Sequence, residues 1–520
     1  PSGVEPAAPR LDARLVPAAL VGWAVTAAGI VWPIGHLLGA SSLVLVVCGG
    51  LARCGRHRRP QLRAIGVGLV AVGVVGAGFG FAIALRARAT AHHPVTAAFG
   101  TTTPATVTPT QSAVSVGRGR LMFRARLVRL GDDGVSGRVT VFAPARDFAG
   151  LMAGQPVRFR ARITRPTRHD LTVAVLNATG APALGEAAPT YRAAHAVRAR
   201  FAAAARRVLP GEQAAMLPAL VLGDTSAVTA VTGQEFRAAG LTHLTAVSGA
   251  NVTIVCGAVL FVSRLIGLRA AAVLAAIALV VFVVVVQPTA SVLRAAVMGA
   301  IALAAVVSSR RRQAIPALSA TVLVLLVAAP QLAVDVGFAL SVVATAALVV
   351  VAPVWSRRMV SVGWPRPLAD AVCVACAAQL VTAPLIAGIS GRVSLVAAAA
   401  NCAVAGLIAP ITVLGSAAAA LCSVWPAAAH LLIRFIGPEL WWVLSVAHWA
   451  AKVPAAAAPV PSGAAGVMSV GAAAVLAAVL WRRRWFRVVS AVTVAVLLAW
   501  SLSGLLAGAA GVPGGPVGRA

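Results

Sequence analysis

The sequence predicts a polytopic α-helical membrane protein with about 13 apolar spans and a small extracytoplasmic all-β, OB-like domain. Three observations carry that prediction. Of 520 residues, 60% are hydrophobic and only 11% charged, against about 45–50% and about 25% in ordinary globular chains. Apolar runs long enough to span a bilayer recur along the chain, joined by short links that carry arginine. Between residues 113 and 182, the apolar period drops to two, the signature of half-buried strands.

Three apolar runs open the chain, at 15–32, 34–51 and 65–85, so residues 1–85 read as N-terminal transmembrane segments. The link after the second run holds Arg53, Arg56, Arg58, Arg59 and Arg63, and short basic loops stay in the cytoplasm. The N-terminus is therefore expected inside, and everything after Leu85 outside. Residues 86–112, rich in Thr, Ala and Pro, read as a flexible linker. The β domain is expected at 113–189. There Leu121, Phe123, Ala125 and Leu127 alternate with Arg120, Met122, Arg124 and Arg126; Val157, Phe159, Ala161 and Ile163 alternate with Arg158, Arg160, Arg162 and Thr164; Leu171, Val173 and Val175 continue the pattern. About five such strands close a small barrel of the oligonucleotide-binding type.

The formal charge is +31, from 44 basic and 13 acidic residues, and Lys452 is the only lysine. Arginine in place of lysine is what a GC-rich genome produces, but the excess of charge calls for an anionic partner, membrane lipid or nucleic acid. Residues 86–212 alone hold 19 arginines and six acidic residues, a net +13. A long domain is translocated largely regardless of charge, so the external placement stands. The strand faces offer arginine with few aromatics, which favours phosphate contact over base stacking. Arg120, Arg124, Arg126, Arg158, Arg160 and Arg162 are the expected contacts, with a solvated basic face as the plain alternative.

Residues 190–240 read as amphipathic helices leading to the membrane. In the first of them Val197, Phe201, Ala204 and Val208 share a face, with Arg192, Arg198, Arg200, Arg206 and Arg207 on the remainder. Such a helix either lies on a membrane surface or packs as a strut. A turn at Gly223 follows, then a helix with Thr232 and Glu235 as a capping box, ending at Gly240. Ten runs make up the transmembrane domain at 241–507: 244–263, 270–286, 292–307, 315–329, 336–353, 370–389, 395–422, 429–450, 466–481 and 488–507. Links with Arg264 and Arg269, Arg310 to Arg312, Arg357 and Arg358, and Arg482 to Arg484 fall alternately inside, which puts the C-terminus outside. The run 395–422, with Asn401 and Pro410, is expected to be a broken or tilted helix, and 508–520 a flexible tail.

No cofactor or metal is expected. Cys373 and Cys376 form a CxxC inside an apolar run without a second pair, and packing is the better reading. Lys452 follows no glycine loop, so there is no phosphate cradle for ATP. Polar residues at membrane depth, by contrast, face protein or water. Asp224, His243, Ser248, Gly249, Asn251, Arg294, Asp335, Gln379 and Asn401 are the candidates for a polar route. An Arg294–Asp335 ion pair that merely holds helices together is the structural alternative.

GLTHLTAVSGAN at 240–251, with LVLGD at 220–224, PTASVLRAAVMG at 288–299 and VDVGFALSVVATAAL at 334–348, resembles the competence domain of ComEC-type DNA internalisation proteins. The resemblance runs from about residue 211 to beyond Asn401, and the barrel looks like that family's N-terminal domain. It implies a plasma-membrane channel that conducts single-stranded DNA into the cytoplasm during natural transformation, not an enzyme. Its implied partners are a cytoplasmic helicase-like motor and an external DNA receptor. Family members often read SG-x-His where this chain has Asn251, which leaves that histidine's role unfilled. Many also continue into a metallo-β-lactamase-like domain; a chain without it is expected, since no HxHxDH cluster exists among the nine histidines. Two other readings stay open. One is a related transporter for another substrate. The other is an intramembrane hydrolase using Ser248 and His243, whose side chains stand roughly 140° apart on one continuous helix, so that a dyad needs a helix break near Gly249.

Overall fold

Apolar runs too hydrophobic to leave any face wet become helices, since only a helix satisfies its own backbone in lipid. The computed structural model describes residues 12–54, 60–307, 313–453, 456–480, 483–485, 488 and 492. In chain order, α1 (Val16–Val31), α2 (Gly35–Cys54) and α3 (Pro60–Ala91) lead to strands β1 (Thr102–Pro109), β2 (Val114–Ser115), β3 (Arg120–Leu130) and β4 (Asp133–Pro144), the turn α4 (Ala145–Phe148), and strands β5 (Val157–Thr164) and β6 (Ala174–Leu184). Then come α5 (Pro189–Val208), α6 (Gly211–Leu222), α7 (Ala230–Ala238), the turn α8 (Thr242–Thr245), α9 (Gly249–Ser263), α10 (Leu268–Val286), α11 (Ala290–Val307), α12 (Ala314–Ala328) and α13 (Val336–Val350). The chain continues with α14 (Ala352–Ser361), α15 (Arg366–Ser390), β7 (Arg392–Ser394), α16 (Ala397–Leu421), α17 (Pro426–Lys452), β8 (Ala457–Pro459) and α18 (Gly463–Leu480). Among the described residues, eight helices are long and apolar enough to cross a membrane, and four shorter apolar helices accompany them. The basic links at Arg310 to Arg312 and Arg482, most of the link at 53–63, the tail at 508–520 and, apart from Val488 and Val492, the run 488–507 lie outside the described residues.

The helices and strands fall into two units, one of residues 1–228, 243–349 and 407–440, the other of 229–242, 350–406 and 441–520. In the first, β1 pairs with both β3 and β5, β3 with β4, β4 with β6 in parallel, and β6 with β5, so five strands close on themselves while β2 extends β3 at one edge. Alternation decides what lies inside. Val157, Phe159, Ala161 and Ile163 are buried and Arg158, Arg160 and Arg162 exposed, and Phe123, Phe148 and Phe159 stack at the centre of the barrel core.

Composition misleads at 86–112. That stretch holds the end of α3 and all of β1, whose Ala105 and Val107 are fully buried. The threonines that suggested a linker face outward between two arginine-bearing strands. Val173 is buried in the barrel core as expected, but the parity shifts after it: along β6 Ala174, Leu176 and Ala178 point inward and Val175 is half-buried. Leu171, just before it, adopts φ +63, a left-handed conformation that costs a non-glycine residue on the order of 1–3 kcal/mol. Its side chain packs instead against the helical cluster of Leu332, Ala333, Phe338 and neighbours, which offsets the strain and seats the barrel on the helices.

Further expectations change on the same grounds. Helix α5 buries Ala194, Arg198, Phe201, Ala204 and Ala205, a face one step round from the one expected, and packs on α6 and α10 as a strut. Residues 214 and 216–222 of α6 are all buried, so beyond its exposed first turn this helix is not amphipathic. The cap of α7 is Thr229, whose hydroxyl accepts from Thr232 N–H at 3.1 Å, not Thr232 itself. Residues 397–421 form one continuous helix through Pro410 rather than a broken one. In the second unit α15 packs against α14 and α18, and β7 pairs with β8.

Phe123→Ala is expected to loosen the barrel by about 3–5 kcal/mol, seen as faster proteolysis within 102–184 of the membrane-embedded chain. Arg160→Gln on the outer face should leave the cleavage rate essentially unchanged, within about 0.5 kcal/mol.

Candidate functional site

The LVLGD segment ends α6 in a turn that only glycine enters without strain. Gly223 has φ +69 and its N–H reaches Ala219 O and Pro218 O, while Asp224 N–H bonds Pro218 O at 3.1 Å, a pair of bonds that satisfies the last carbonyls of the helix. The remaining acceptors meet Arg198, which is 8% exposed. Its Nη1 donates to Leu222 O at 3.0 Å, at the end of α6, and to Val285 O at 3.3 Å and Val286 O at 3.5 Å, at the end of α10. Its Nη2 faces Asp224 Oδ2 at 3.8 Å. One guanidinium thus closes two helix C-termini, whose dipoles favour a cation. Burial lowers its pKa from the ordinary arginine value, and Asp224 opposes that shift.

Two more turns are held from the barrel side. Gln287, at φ +76 after α10, accepts from Ser112 N–H at 2.9 Å, and its Nε2 donates to Ser112 Oγ at 2.9 Å. Asp335 caps α13 by accepting from Phe338 N–H at 2.9 Å, and its other oxygen lies 3.5 Å from Arg124 Nη1 on β3. The structural alternative of an Arg294–Asp335 pair is thereby excluded: Asp335 is bound to the barrel. Arg120 is also engaged, donating to Asn177 Oδ1 at 3.2 Å, whereas Arg126, Arg158, Arg160 and Arg162 are exposed.

Below these turns the SGAN segment starts α9. The helix is interrupted between Thr245 and Gly249, so the break that a Ser248–His243 dyad requires is present. The Ser248 hydroxyl, however, donates to Asn251 Oδ1 at 3.3 Å, and Asn251, 4% exposed, donates to Leu220 O at 3.0 Å. Leu220, Leu244, Ser248, Asn251, Ile411 and Thr412 line a small cleft there. His243, at the end of α8, makes its own contacts. Gly249 is where Arg294 arrives: a Cβ on this residue would stand 2.6 Å from Arg294 Nη2. Arg294 is 6% exposed; its Nε donates to Ser341 Oγ at 2.7 Å and its Nη1 lies 3.3 Å from Met298 Sδ. Among the described residues it forms no ion pair.

The second unit keeps Gln379 and Asn401 apart from these contacts in kind. Gln379 donates to Ser394 O at 3.2 Å, and Asn401 to Ala397 O, one turn back, at 2.8 Å. Glu235, expected in a capping box, lies 2.7 Å from His448 Nδ1.

Residues 220–485 match the family model described as Competence protein. The chain belongs to the competence-protein family. No curated protein and no solved structure matches it. Family and apolar helices together make this competence protein a multi-pass membrane protein with a role in DNA uptake. Arg198, Ser112 and Arg124 lie outside the matched region, yet each holds one of the turns inside it or at its edge. Arg198 was missed in the sequence because a charge on an amphipathic helix is ordinarily placed in water; its spacing from Ala194, Phe201 and Ala205 was the available signal.

Arg198→Ala is expected to destabilise the chain by about 3–5 kcal/mol, because it strands Asp224 and three carbonyls, measured by thermal unfolding in detergent. Gly249→Ala should cost about 1–3 kcal/mol by overpacking against Arg294 in the same assay.

Proposed function

We propose that this competence protein is an inner-membrane channel conducting single-stranded DNA into the cytoplasm during natural transformation. The observation that carries the proposal is Arg294, a guanidinium buried one turn inside an apolar helix, without a carboxylate partner among the described residues and beside the polar start of α9. A cation in that position is stable only if wetted or offered to an anion. Passing phosphates supply the anion, and the cleft with Asn251 and Thr412 supplies the polar wall.

The barrel is read as an OB-type DNA-binding domain outside the membrane. Support comes from its strand order, β1-β3-β4-β6-β5 and back to β1 with β4 and β6 parallel, and from the open arginine row on β5. Thirteen spans are read from the apolar runs, and a cytoplasmic N-terminus and an extracytoplasmic C-terminus from the basic links between them. The pull on the strand is assigned to a helicase-like motor inside, because no ATP cradle is present in the sequence, and delivery to an external receptor, as the family implies.

Arg294→Ala is expected to abolish transformation, counted as transformants per viable cell, while the protein still accumulates in the membrane. Normal transformation by stably inserted Arg294→Ala protein would remove the residue from the route. Ser248→Ala should be nearly silent, because a small side chain there mainly permits close helix approach; complete loss would favour the hydrolase. A cysteine at Gly134, in the β3–β4 hairpin, should react with an impermeant thiol reagent on intact cells, and protection there would invert the topology.

A further inference from the structure

The outer face of β3 and β4 carries more positive charge than its surroundings balance. Register sets Arg126 directly opposite Arg138, with Arg124 opposite Thr140 on the same face, and like charges placed opposite one another destabilise a sheet. Arg138 makes the imbalance acute, since its Nη1 is buried and has no hydrogen-bond partner among the described residues. A buried donor left unmade costs about 1–3 kcal/mol. The carboxylates within electrostatic reach of Arg138 are Asp170 and Asp335, and Asp335 is already shared between Arg124 and the first turn of α13. Three guanidiniums and two carboxylates leave one positive charge over, at the seam where the barrel meets the helices.

We infer that Arg124, Arg126 and Arg138 form a seat for one phosphodiester group of a nucleic-acid strand, at the point where the strand leaves the barrel for the helices. This rests on the DNA reading above and adds to it a residue, Arg138, and a place. A phosphodiester carries a single negative charge and two acceptor oxygens, the complement of the exposed Arg126 and half-exposed Arg124 guanidiniums, with Arg138 adding its charge from beneath. A lipid headgroup has the same chemistry. The nucleic acid is favoured because the seat continues into a row of further sites: Thr108 of β1 lies opposite Arg126, and the neighbouring Thr106 lies opposite Arg158 of β5, so that a polymer of phosphates can occupy Arg126, Arg158, Arg160 and Arg162 in turn. Asp335 then has a second role. A phosphate on Arg124 competes with it directly, and this contact ties the barrel to the helix that holds Arg294 through Ser341.

The test uses the full chain in nanodiscs of neutral phosphatidylcholine and a short fluorescent single-stranded oligodeoxynucleotide. Arg138→Gln is expected to weaken binding about five- to tenfold at low salt and to reduce the slope of log K against log salt by about 0.7, the loss of one neutralising charge. Arg126→Gln, at an exposed position where folding is not at stake, should do the same, whereas Arg168→Gln on an exposed loop should stay within about twofold. Wild-type binding with unchanged affinity and slope in both Arg138→Gln and Arg126→Gln would overturn the seat and leave the DNA reading standing. Absence of binding by the wild-type chain would overturn both. Loss of binding to phosphatidylglycerol vesicles by Arg138→Gln, with oligonucleotide binding intact, would assign the seat to lipid and overturn the proposal.

Discussion

Arg294 sets the terms for everything around it. A guanidinium this deep in an apolar helix costs several kcal/mol unless it is wetted or paired, and the surroundings are arranged to hold it without neutralising it. Ser341 takes its Nε, Met298 lies against its Nη1, and Gly249 gives up its side chain so that Nη2 can approach the first turn of α9. A paired arginine would be a fastener. An arginine held by a hydroxyl, a thioether and a bare backbone has no carboxylate against its charge among the described residues.

The barrel and strut fix the turns around that charge. Arg198 closes α6 and α10 together, Ser112 holds the turn after α10, and Arg124 reaches the carboxylate that caps α13. The elements that carry the family's motifs are therefore clamped by residues from the region before them. Leu171 shows the same dependence in apolar form, since the side chain on its left-handed backbone packs, partly buried, against the helices. The basic outer face of the barrel and the buried charge of α11 thus belong to one compact unit.

Much of this was legible because local periodicity and local chemistry agree. The arginine row of β5 alternates with buried residues position by position, Gly223 terminates α6 as its place after an apolar run requires, and the small polar residues of SGAN mark where α9 begins. What was not legible depends on partners distant in sequence. Nothing near Asp335 says that its partner is Arg124, and nothing near Arg198 says that two helix ends converge on it. At 102–109 the threonines and prolines outweigh the alternation of Ala105 and Val107, because only two small apolar residues mark the inward face. The interrupted helix before Ser248 was foreseen only as a condition for a catalytic dyad, and it serves instead to aim Ser248 and Asn251 at the end of α6.

The most direct measurement maps an incoming strand on the protein. Single-stranded DNA carrying photoreactive thymine analogues, stalled during uptake and irradiated, should crosslink to peptides containing residues 248–251, 294 and 408–412. Crosslinks confined to the barrel at 102–184, with none in the helices, would contradict a route past Arg294.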